Sequence, residues 1–470
     1  MIGVVGGGIA GLAAAYRLQQ HGREVRVFEA SDDLGGLAAT YETAGDRIEK
    51  FYHHLSKSEQ TIVDLAHELG LGDAVEWRIG ENAYYVDGVV HPLDAPWQIL
   101  AYPHLSLYDK FRLAMLLLEV DVRGGRPRLD TYDDLSEFED VPIRDFLVEH
   151  TTRGVYENFW EPLLDAKFGS RKEDASAAWL LGRVKFRGER DVLRGEILGY
   201  LEGGFHRLIE TLIDAVGREN VSCGARVTDL RTEDGRVSGL TVERELADDA
   251  DRDEPVEADG GAEPTDGGAG ATGIDGGTPT RECETYDVDA AVVATMPTVL
   301  ESLTGYECAI DFQGSVVSVF SLDEPLTDTY WLNVAEDAPF GALIEHTNFV
   351  PPERYGGEHL LYAASYVQDP EEPLWQAADR EVERRYTAGI ADVFPDFDPD
   401  SVRWVRTARN PRTAPVYERG YLDMVVPYDL GTVADGLYYA GMASRAQYPE
   451  RSLDGGVVAG FECADRIAGD

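Results

Sequence analysis

Three glycines near the beginning of the sequence constrain the fold more than any other feature. Gly6, Gly8 and Gly11 stand between a short apolar run at 2–5 and a segment at 9–21 whose apolar residues recur with helical spacing. In a strand–turn–helix unit of this kind, the first glycine permits a tight turn and the second lets the backbone approach a pyrophosphate. The third allows the helix to pack closely on the strand. The spacing therefore predicts a βαβ unit that binds a dinucleotide.

Two further features of this unit fit the same chemistry. The start of the helix, at Ile9 and Ala10, offers free N–H groups and a positive dipole end to phosphates. A second strand-like run at 24–28 ends at Glu29, whose carboxylate can accept hydrogen bonds from the ribose hydroxyls and disfavours a 2′-phosphate. The unit alone does not distinguish NAD from FAD.

Length and hydropathy indicate a large globular protein. A chain of 470 residues is too long for one ordinary hydrophobic core, so we expect two closely joined domains. No basic region precedes the strand-like run at Ile2, so the start of the sequence does not resemble a secretory signal. The most apolar run, Leu113–Val120, is far shorter than the roughly 20 residues that span a bilayer. We therefore expect a soluble, cytoplasmic protein with no transmembrane segment.

The net charge is unusual. With 87 acidic and 42 basic residues, the chain carries a formal charge of −45. Such a surface repels itself strongly in dilute buffer, whereas molar salt shortens the Debye length to about 3 Å and screens the repulsion. The charge indicates adaptation to a high-salt cytoplasm and resembles that of haloarchaeal proteins, an acidic protein of an ordinary cell being the alternative. In either case nucleic acid is a poor partner.

Metal and disulfide chemistry have no basis in the sequence. No two of the four cysteines have C-x-x-C spacing, and no two of the ten histidines have H-x-x-x-H spacing. We therefore expect neither a zinc or iron–sulfur site nor a redox-active disulfide. Any redox chemistry must come from a bound organic cofactor.

The segment 246–284 differs in composition from the rest of the chain. It consists mainly of Asp, Glu, Gly, Ala, Pro and Thr, which offer almost nothing large to bury, and we expect a disordered insertion in a β-meander. Gly268, Gly270 and Gly273 formally repeat the dinucleotide spacing there. Because neither an apolar strand nor an amphipathic helix flanks them, we interpret this match as accidental.

Periodicity and turn residues predict the other elements. Helices are expected at 58–70, 105–120, 142–150, 154–166, 203–217, 372–392 and from about 455. Strands are expected in a hairpin at 84–93 and at 221–230, 235–244, 286–295, 314–321, 341–346, 359–366, 402–407 and 437–440.

The segment 28–36, F-E-A-S-D-D-L-G-G, resembles a signature of the flavin amine oxidase and protoporphyrinogen oxidase superfamily. The resemblance implies FAD as cofactor, bound beside Ala30, with the backbone of Gly35 and Gly36 against the diphosphate and the flavin end. Many relatives carry arginine after the glycine pair to meet the pyrophosphate, and this chain has Leu37 instead. The resemblance therefore implies that part of the phosphate charge is neutralised elsewhere.

Later segments resemble the same superfamily in the same order along the chain. The resemblance implies that main-chain groups of a valine hold adenine, that an alanine–threonine stretch borders the adenosine, and that a C-terminal segment approaches the ribityl phosphate and the pyrimidine ring. The matching residues here are Val227, Ala294, Thr295, Gly441, Met442, Gly455, Gly456 and Val457. Met442 departs from the pattern, because relatives usually carry an acid at that position.

Candidate catalytic residues come from three segments. His53 and His54 follow the glycine pair and could orient substrate or transfer protons near neutral pH, against the alternative of packed or surface histidines. Lys167 lies in a stretch that resembles protoporphyrinogen-oxidase-like relatives; it could activate a water or pair with an anionic substrate, or form a surface ion pair. Tyr417 could form a pocket wall or pack in the core.

Together these features predict an α/β fold with a Rossmann-like FAD-binding domain of the glutathione-reductase type. That domain would take 1–80, 200–300 and 425–470, and a mixed-sheet and helical substrate domain would take 81–199 and 301–424. The resemblance implies an FAD-dependent oxidoreductase that removes hydride from a C–N or C–C bond of an amine, isoprenoid or tetrapyrrole. Alternatives are a redox-neutral enzyme of the UDP-galactopyranose mutase type and a non-catalytic flavoprotein scaffold. A homodimer and peripheral membrane contact are further expectations.

Overall fold

The computed structural model describes residues 1–121, 132–186, 190–191, 193–245 and 281–469. Most of the segment interpreted as a disordered insertion, including the second glycine motif, lies outside these residues. The predicted boundary at 284 is wrong, because residues 281–284 belong to a strand.

The described residues form strands and helices throughout the chain. The strands are β1 (Ile2–Val5), β2 (Val25–Phe28), β3 (Thr40–Tyr41), β4 (Ile48–Glu49), β5 (Leu55–Ser56), β6 (Val75–Gly80), β7 (Asn82–Val86), β8 (Val89–Pro92), β9 (Arg190–Asp191), β10 (Gly195–Leu201), β11 (Val221–Ser222), β12 (Ala225–Glu233), β13 (Arg236–Glu245), β14 (Arg281–Asp287), β15 (Ala290–Val293), β16 (Phe312–Leu322), β17 (Trp331–Val334), β18 (Ala342–Glu345), β19 (His359–Val367), β20 (Val402–Pro415) and β21 (Leu437–Tyr439). The helices are α1 (Ile9–Gln20), α2 (Gln60–Glu68), α3 (Pro96–Ala101), α4 (Leu107–Asp121), α5 (Ile143–His150), α6 (Arg153–Val155), α7 (Glu161–Phe168), α8 (Ala177–Phe186), α9 (Phe205–Val216), α10 (Pro297–Thr304), α11 (Pro373–Gln376), α12 (Asp379–Val393), α13 (Tyr421–Met424) and α14 (Leu453–Gly469). A π-helical turn at Tyr156–Trp160 joins α6 to α7.

A five-stranded parallel sheet carries the glycine motif. Its order is β11-β2-β1-β15-β21, and every neighbouring pair is parallel. Alternate residues of β1 face opposite layers. Val4 packs with α1 and α14, whereas Val5 packs towards the strand β13. Because the sheet is covered on both faces, its central strands are continuously apolar, as parallel strands usually are.

The layer opposite the helices is a three-stranded antiparallel sheet in the order β12-β13-β14. The predicted meander is right in kind but wrong in its boundaries. The run 221–230 divides into β11, which joins the parallel sheet, and β12. The run 286–295 likewise divides into the end of β14 and the whole of β15, which pairs with β1. Each of these two predicted strands therefore contains parts of two strands that belong to different sheets.

A second large sheet has seven strands in the order β20-β16-β19-β18-β17-β7-β8. All its pairs are antiparallel except β7 with β17. The predicted hairpin at 84–93 is present. Its turn residues Asp87 and Gly88 have φ of 52° and 74°, the positive values that a two-residue hairpin turn requires. The helix α12 packs on this sheet through Tyr386, whose hydroxyl donates to the carbonyl of Val316 (3.2 Å).

The predicted α/β fold class is confirmed: a parallel sheet with helices on one face is combined with a larger mixed sheet and the helices α3–α8. None of the helices in the described ranges is both long enough and apolar enough to cross a membrane.

Candidate functional site

The turn after β1 has the close packing that its glycines predict. Gly6 has φ of 107°, and a Cβ there would lie 2.6 Å from the carbonyl oxygen of Ala294. A Cβ on Gly11 would overlap the carbonyl oxygen of Gly6, so that any larger residue would push α1 away from the strand. Ala294 itself is anchored to β1, because its N–H donates to the carbonyl of Val5 (2.8 Å). The predicted site residues Ala294 and Thr295 therefore lie directly beside the turn.

Gly8 differs from its neighbours because the space beside it is open. A Cβ at Gly8 would meet only the Cα of Gly36, at 4.0 Å, and a Cβ at Gly36 would meet only the Cα of Gly8, at 3.5 Å. Gly8 is the N-cap residue of α1, no side chain caps that helix, and its first turn carries no acid. The turn 34–37 is held against α1 by the Gly35 N–H, which donates to the carbonyl of Gly7 (3.0 Å). The two glycine segments thus leave the helix N-terminus accessible to a phosphate.

Glu29 is fixed at the end of β2. Its two carboxylate oxygens accept hydrogen bonds from the N–H groups of Gly7 (2.7 Å) and Ser31 (2.9 Å). The next residue, Ala30, is exposed. Since a carboxylate oxygen can accept more than one hydrogen bond, Glu29 is held in place and still able to accept from a ribose. Val227 lies nearby on β12, whose first residue, Ala225, donates its N–H to the carbonyl of Glu29 (2.7 Å).

The C-terminal motif packs closely on the same turn. A Cβ on Gly441 would overlap the carbonyl oxygen of Thr295, and a Cβ on Gly456 would lie 2.8 Å from Ile9. Gly455 packs similarly against the backbone of Ala446, and Val457 is fully buried in the core. Close packing therefore explains these small residues: Gly456 lies against α1, Gly441 against the segment after β15 and Gly455 against the segment before α14.

Two predicted residues of the glycine segments lie at the edge of this arrangement. Leu37 packs against an apolar cluster and contributes no charge. Met442 is partly exposed. Since neither side chain can offer a charge to a phosphate, the N-terminus of α1 is the feature of this segment that would meet it.

The open space between Gly8 and Gly36, the uncapped helix N-terminus and Glu29 fit a dinucleotide. A pyrophosphate would meet backbone N–H groups of Ile9 and Ala10 there, and Glu29 would meet the ribose. The fold and the site together define a dinucleotide-binding α/β protein.

The two candidate histidines are held by different partners. The Nδ1 of His53 lies 2.6 Å from the carbonyl oxygen of Phe51, and its ring packs edge-on to Phe205. Burial, together with the charge of Arg451, lowers the pKa of His53 to about 4, so the imidazole is neutral at pH 7. The Nδ1 of His54 lies 3.1 Å from the Tyr330 hydroxyl. A neutral His53 can exchange one proton with a neighbour but supplies no positive charge.

Lys167 forms an ion pair, but not at the surface. Its Nζ lies 2.8 Å from Oε1 of Glu450, and the two side chains are only 12% and 7% exposed. The same ammonium lies 5.3 Å from the ring centroids of Trp179 and Tyr366. The expectation of a surface ion pair is therefore wrong, because α7 turns Lys167 inward onto aromatic rings.

Tyr417 lies in the core. Its side chain is fully buried and packs on Tyr421 with ring centroids 5.0 Å apart. Its hydroxyl donates to the carbonyl of Gln447 (3.0 Å). This arrangement matches core packing, the alternative to a pocket wall.

Sequence reasoning missed four residues that surround Lys167 and Glu450. Arg183 donates from Nη1 to Oε2 of Glu450 (3.0 Å), and Arg451 follows Glu450 directly. The hydroxyls of Tyr52 and Tyr366 lie 3.5 Å apart. No local motif marks these residues, because they come from four distant segments. The available signal was the pair of consecutive charged residues, Glu450 and Arg451, just before the glycine-rich start of α14.

The comparison with known families agrees with this site. The model of flavin containing amine oxidoreductases matches residues 9–253 and 271–468. The chain belongs to this family, and the prediction of FAD as cofactor is confirmed at the level of the family.

Individual relatives match over shorter lengths. A Mycobacterium tuberculosis protein named as a flavin-containing monoamine oxidase is 39% identical over 246 residues, which is 51% of this chain and 52% of the relative. The chain spans about half the length, or less, of the curated relatives that it matches.

Solved structures match over the whole chain. A crystal structure named as a protoporphyrinogen oxidase from Exiguobacterium has a TM-score of 0.71 at 19% identity and covers 99% of this chain and 98% of its own. Reduced UDP-galactopyranose mutase has a TM-score of 0.65 at 15% identity and covers 100% of this chain and 95% of its own. At these identities the likeness shows the fold.

Proposed function

We propose that the protein is an FAD-dependent oxidoreductase that removes hydride from a C–N or C–C bond of an organic substrate such as an amine, isoprenoid or tetrapyrrole. The observation that carries this proposal is the open space between Gly8 and Gly36 at the uncapped N-terminus of α1, with Glu29 beside it. Family membership supports the flavin part of the dinucleotide.

The residues of the chain have distinct tasks in this proposal. Bound FAD supplies the hydride acceptor. The α1 N-terminus binds the phosphates, and Glu29 orients the ribose. The aromatic side chains of Tyr52 and Tyr366 and the neutral His53 shield the reacting bond from water, and His53 can hold a single proton. We expect catalysis to rest on positioning rather than on a permanent charge at His53.

The direct test is anaerobic reduction. Purified protein in molar KCl should carry a flavin absorbance band that acid releases. Anaerobic mixing with candidate amines, isoprenoids and tetrapyrrole precursors should bleach that band for the substrate class. A colourless protein that takes up no FAD but binds NADH tightly would contradict the proposal.

The redox-neutral alternative has less support from the structure. A sugar-nucleotide enzyme needs arginines that grip a diphosphate, and the arginine-rich strand β20 is the candidate segment. Two of its arginines are engaged elsewhere: Arg403 pairs with Asp323 (2.5 Å) and Arg409 pairs with Asp379. A non-catalytic scaffold is disfavoured by the aromatic and charged side chains gathered around Glu450. Absence of bleaching with all donors, despite bound FAD, would favour these alternatives.

An exposed apolar patch supports a peripheral membrane contact. It lies on α3 and at the start of α4 and consists of Trp97, Leu100, Leu107, Tyr108 and Phe111, each more than half exposed. Aromatic and leucine side chains in such a patch suit the interfacial zone of a bilayer. Co-sedimentation with lipid vesicles should weaken when Leu107 and Phe111 are changed to serine. A homodimer through the same patch is the alternative, and size-exclusion chromatography without lipid would reveal it.

The acidic surface supports a location in a salt-rich cytoplasm. The net charge of −45 suits an environment where salt screens repulsion between acidic side chains. Fractionation of cells of the source organism would test this location.

A further inference from the structure

A group of positive side chains surrounds Glu450, which is almost fully buried. The carboxylate accepts from Lys167 Nζ (2.8 Å), from Arg183 Nη1 (3.0 Å) and from the indole N–H of Trp179 (3.1 Å). These donors already occupy both oxygens of Glu450. A further cation beside this carboxylate still interacts with its charge, although both oxygens already accept hydrogen bonds.

Arg451 is that further cation. Its Nε is buried and has no hydrogen-bond partner in the part of the chain that the structure describes. Among the described residues it forms no ion pair, although its charge acts on Tyr52, Tyr366 and Glu450. Burial removes hydration from that Nε, and a buried donor without an acceptor costs free energy. The arrangement points to an anion that arrives from outside the chain.

The neighbouring side chains are placed to receive a ligand. The side chain of Arg183 is 48% exposed although it binds Glu450, so this cation is accessible to a ligand. Tyr52 and Tyr366, whose hydroxyls lie 3.5 Å apart, are also partly exposed. Burial alone would raise the pKa of Tyr366, but the charges of Lys167 and Arg451 outweigh it and lower that pKa below its ordinary value.

The sign of the local charge is opposite to that of the molecule. Lys167, Arg183 and Arg451 face two acids, Glu450 and Glu196, the second of which acts on Arg183. Counted over the described residues, the group has an excess of one positive charge, within a chain of net charge −45. This positive group would repel an ammonium ion and attract a carboxylate. A carboxylate could also bind a guanidinium through two parallel hydrogen bonds.

We propose that the substrate of this site carries a carboxylate that binds Arg451 beside Tyr52 and Tyr366, and that simple cationic amines are excluded. This inference rests on the proposed flavin-dependent function. It names the substrate class within that function as a carboxylic acid with an apolar body.

The test compares three probes of nearly equal shape on FAD-loaded protein at pH 7 in molar KCl. Benzoate is an anion, benzylamine is a cation and benzyl alcohol is neutral. Binding is followed by the change in flavin absorbance and by the shift in melting temperature, without turnover. We expect benzoate to bind about tenfold or more tightly than the other two, the effect of one charge-assisted hydrogen bond.

Variants locate the effect. Arg451→Met should abolish the preference for benzoate, and Arg451→Lys should retain part of it. Arg153→Met is the matched control, because Arg153 is exposed and, within the described ranges, pairs with Glu157 (2.6 Å) alone. It should leave the preference unchanged. If Arg451→Met does not fold, the ratio of the affinities for benzoate and benzylamine is compared between the parent protein and Arg451→Lys. A ratio that does not fall in Arg451→Lys would then count against the inference.

Three results would overturn the inference: benzylamine or benzyl alcohol binding as tightly as benzoate, no binding of benzoate, or an unchanged preference in Arg451→Met. Loss of FAD from Arg451→Met with an unchanged benzoate-induced melting shift would also overturn it, since Arg451 would then serve the cofactor. A parent protein that carries no flavin would instead contradict the proposed function.

Discussion

At the scale of single residues, a substitution at Gly8 should prevent FAD binding without preventing folding. Its φ of −76° and ψ of 177° are open to any residue, and a Cβ there would lie 4.0 Å from its nearest described neighbour, the Cα of Gly36. We therefore expect Gly8→Val to fold with nearly the parent melting temperature but to bind no FAD, because the side chain occupies the path of the pyrophosphate. Flavin absorbance and a melting curve measure both effects.

Gly11→Val provides the contrast. Its side chain would overlap the carbonyl oxygen of Gly6 in the backbone, so this variant should lose stability as well as cofactor. If Gly8→Val retained full flavin, the space between the two glycine segments would not be the pyrophosphate site.

Glu29 should contribute to cofactor affinity by an amount typical of a charge-assisted hydrogen bond. We expect Glu29→Ala to weaken FAD binding by about 1–3 kcal/mol. Some loss of stability should accompany it, because the N–H groups of Gly7 and Ser31 lose their acceptor. Titration of the apoprotein with FAD measures the affinity. Asp32→Ala, an exposed acid of the same loop, should leave it unchanged, and an equal loss in both variants would mean a general charge effect.

At the scale of elements, the junction of α2 and α14 should make stability depend on pH. The Oδ1 of Asp454 accepts from the N–H of Ile62 (2.7 Å) at the start of α2. Burial, reinforced by Glu59, raises the pKa of Asp454 to about 7. Since the folded state binds this proton more tightly than the unfolded chain, the contribution of Asp454 to stability is complete below about pH 4. It is lost as the pH rises to about 7.

Asp454→Asn tests this sign, because it keeps the acceptor oxygen and removes the titration. The free energy of unfolding of the parent, relative to the variant, should fall by roughly 2–4 kcal/mol between pH 4 and pH 8, at 1.36 kcal/mol per pKa unit. Urea unfolding of both proteins in molar KCl measures it. Asp73→Asn, at an exposed acid, should show no such change. A constant difference between parent and Asp454→Asn would mean that Asp454 is already ionised at pH 4.

The elements also show what the sequence could and could not predict. The unit β1–α1–β2 is predictable because strand, turn and helix are local, and each glycine has a local steric reason. The assignment of 286–295 to one strand failed because only two residues separate β14 from β15, so the strand pattern does not mark the change of sheet after Asp287. The group around Glu450 was missed for a related reason. Its members lie on α7, α8, β19 and the segment before α14, and only tertiary packing brings them together.

At the scale of the whole molecule, we propose that salt controls stability through diffuse charge. At −45 the folded state is penalised by self-repulsion, which extends over a Debye length of about 30 Å at 10 mM salt and about 3 Å at 1 M. Dialysis to about 10 mM salt should lower the melting temperature and release flavin, and molar KCl should restore both. Sucrose at matched osmolality should rescue less well. A melting temperature that does not depend on salt would refute the halophilic interpretation.

The packing of α14 against α1 has a consequence for how the protein is made. Gly456 and Gly460 lie so close to Ile9, Ala10 and Ala14 that the two helices complete one layer of the parallel sheet. The strand β15, which supplies Ala294, also follows far behind the glycine turn in the chain. During translation, the first βαβ unit leaves the ribosome long before these partners are synthesised. Nascent chains should therefore acquire cofactor only after residue 469 has emerged, and a chaperone that shields α1 until then should raise the yield of yellow protein.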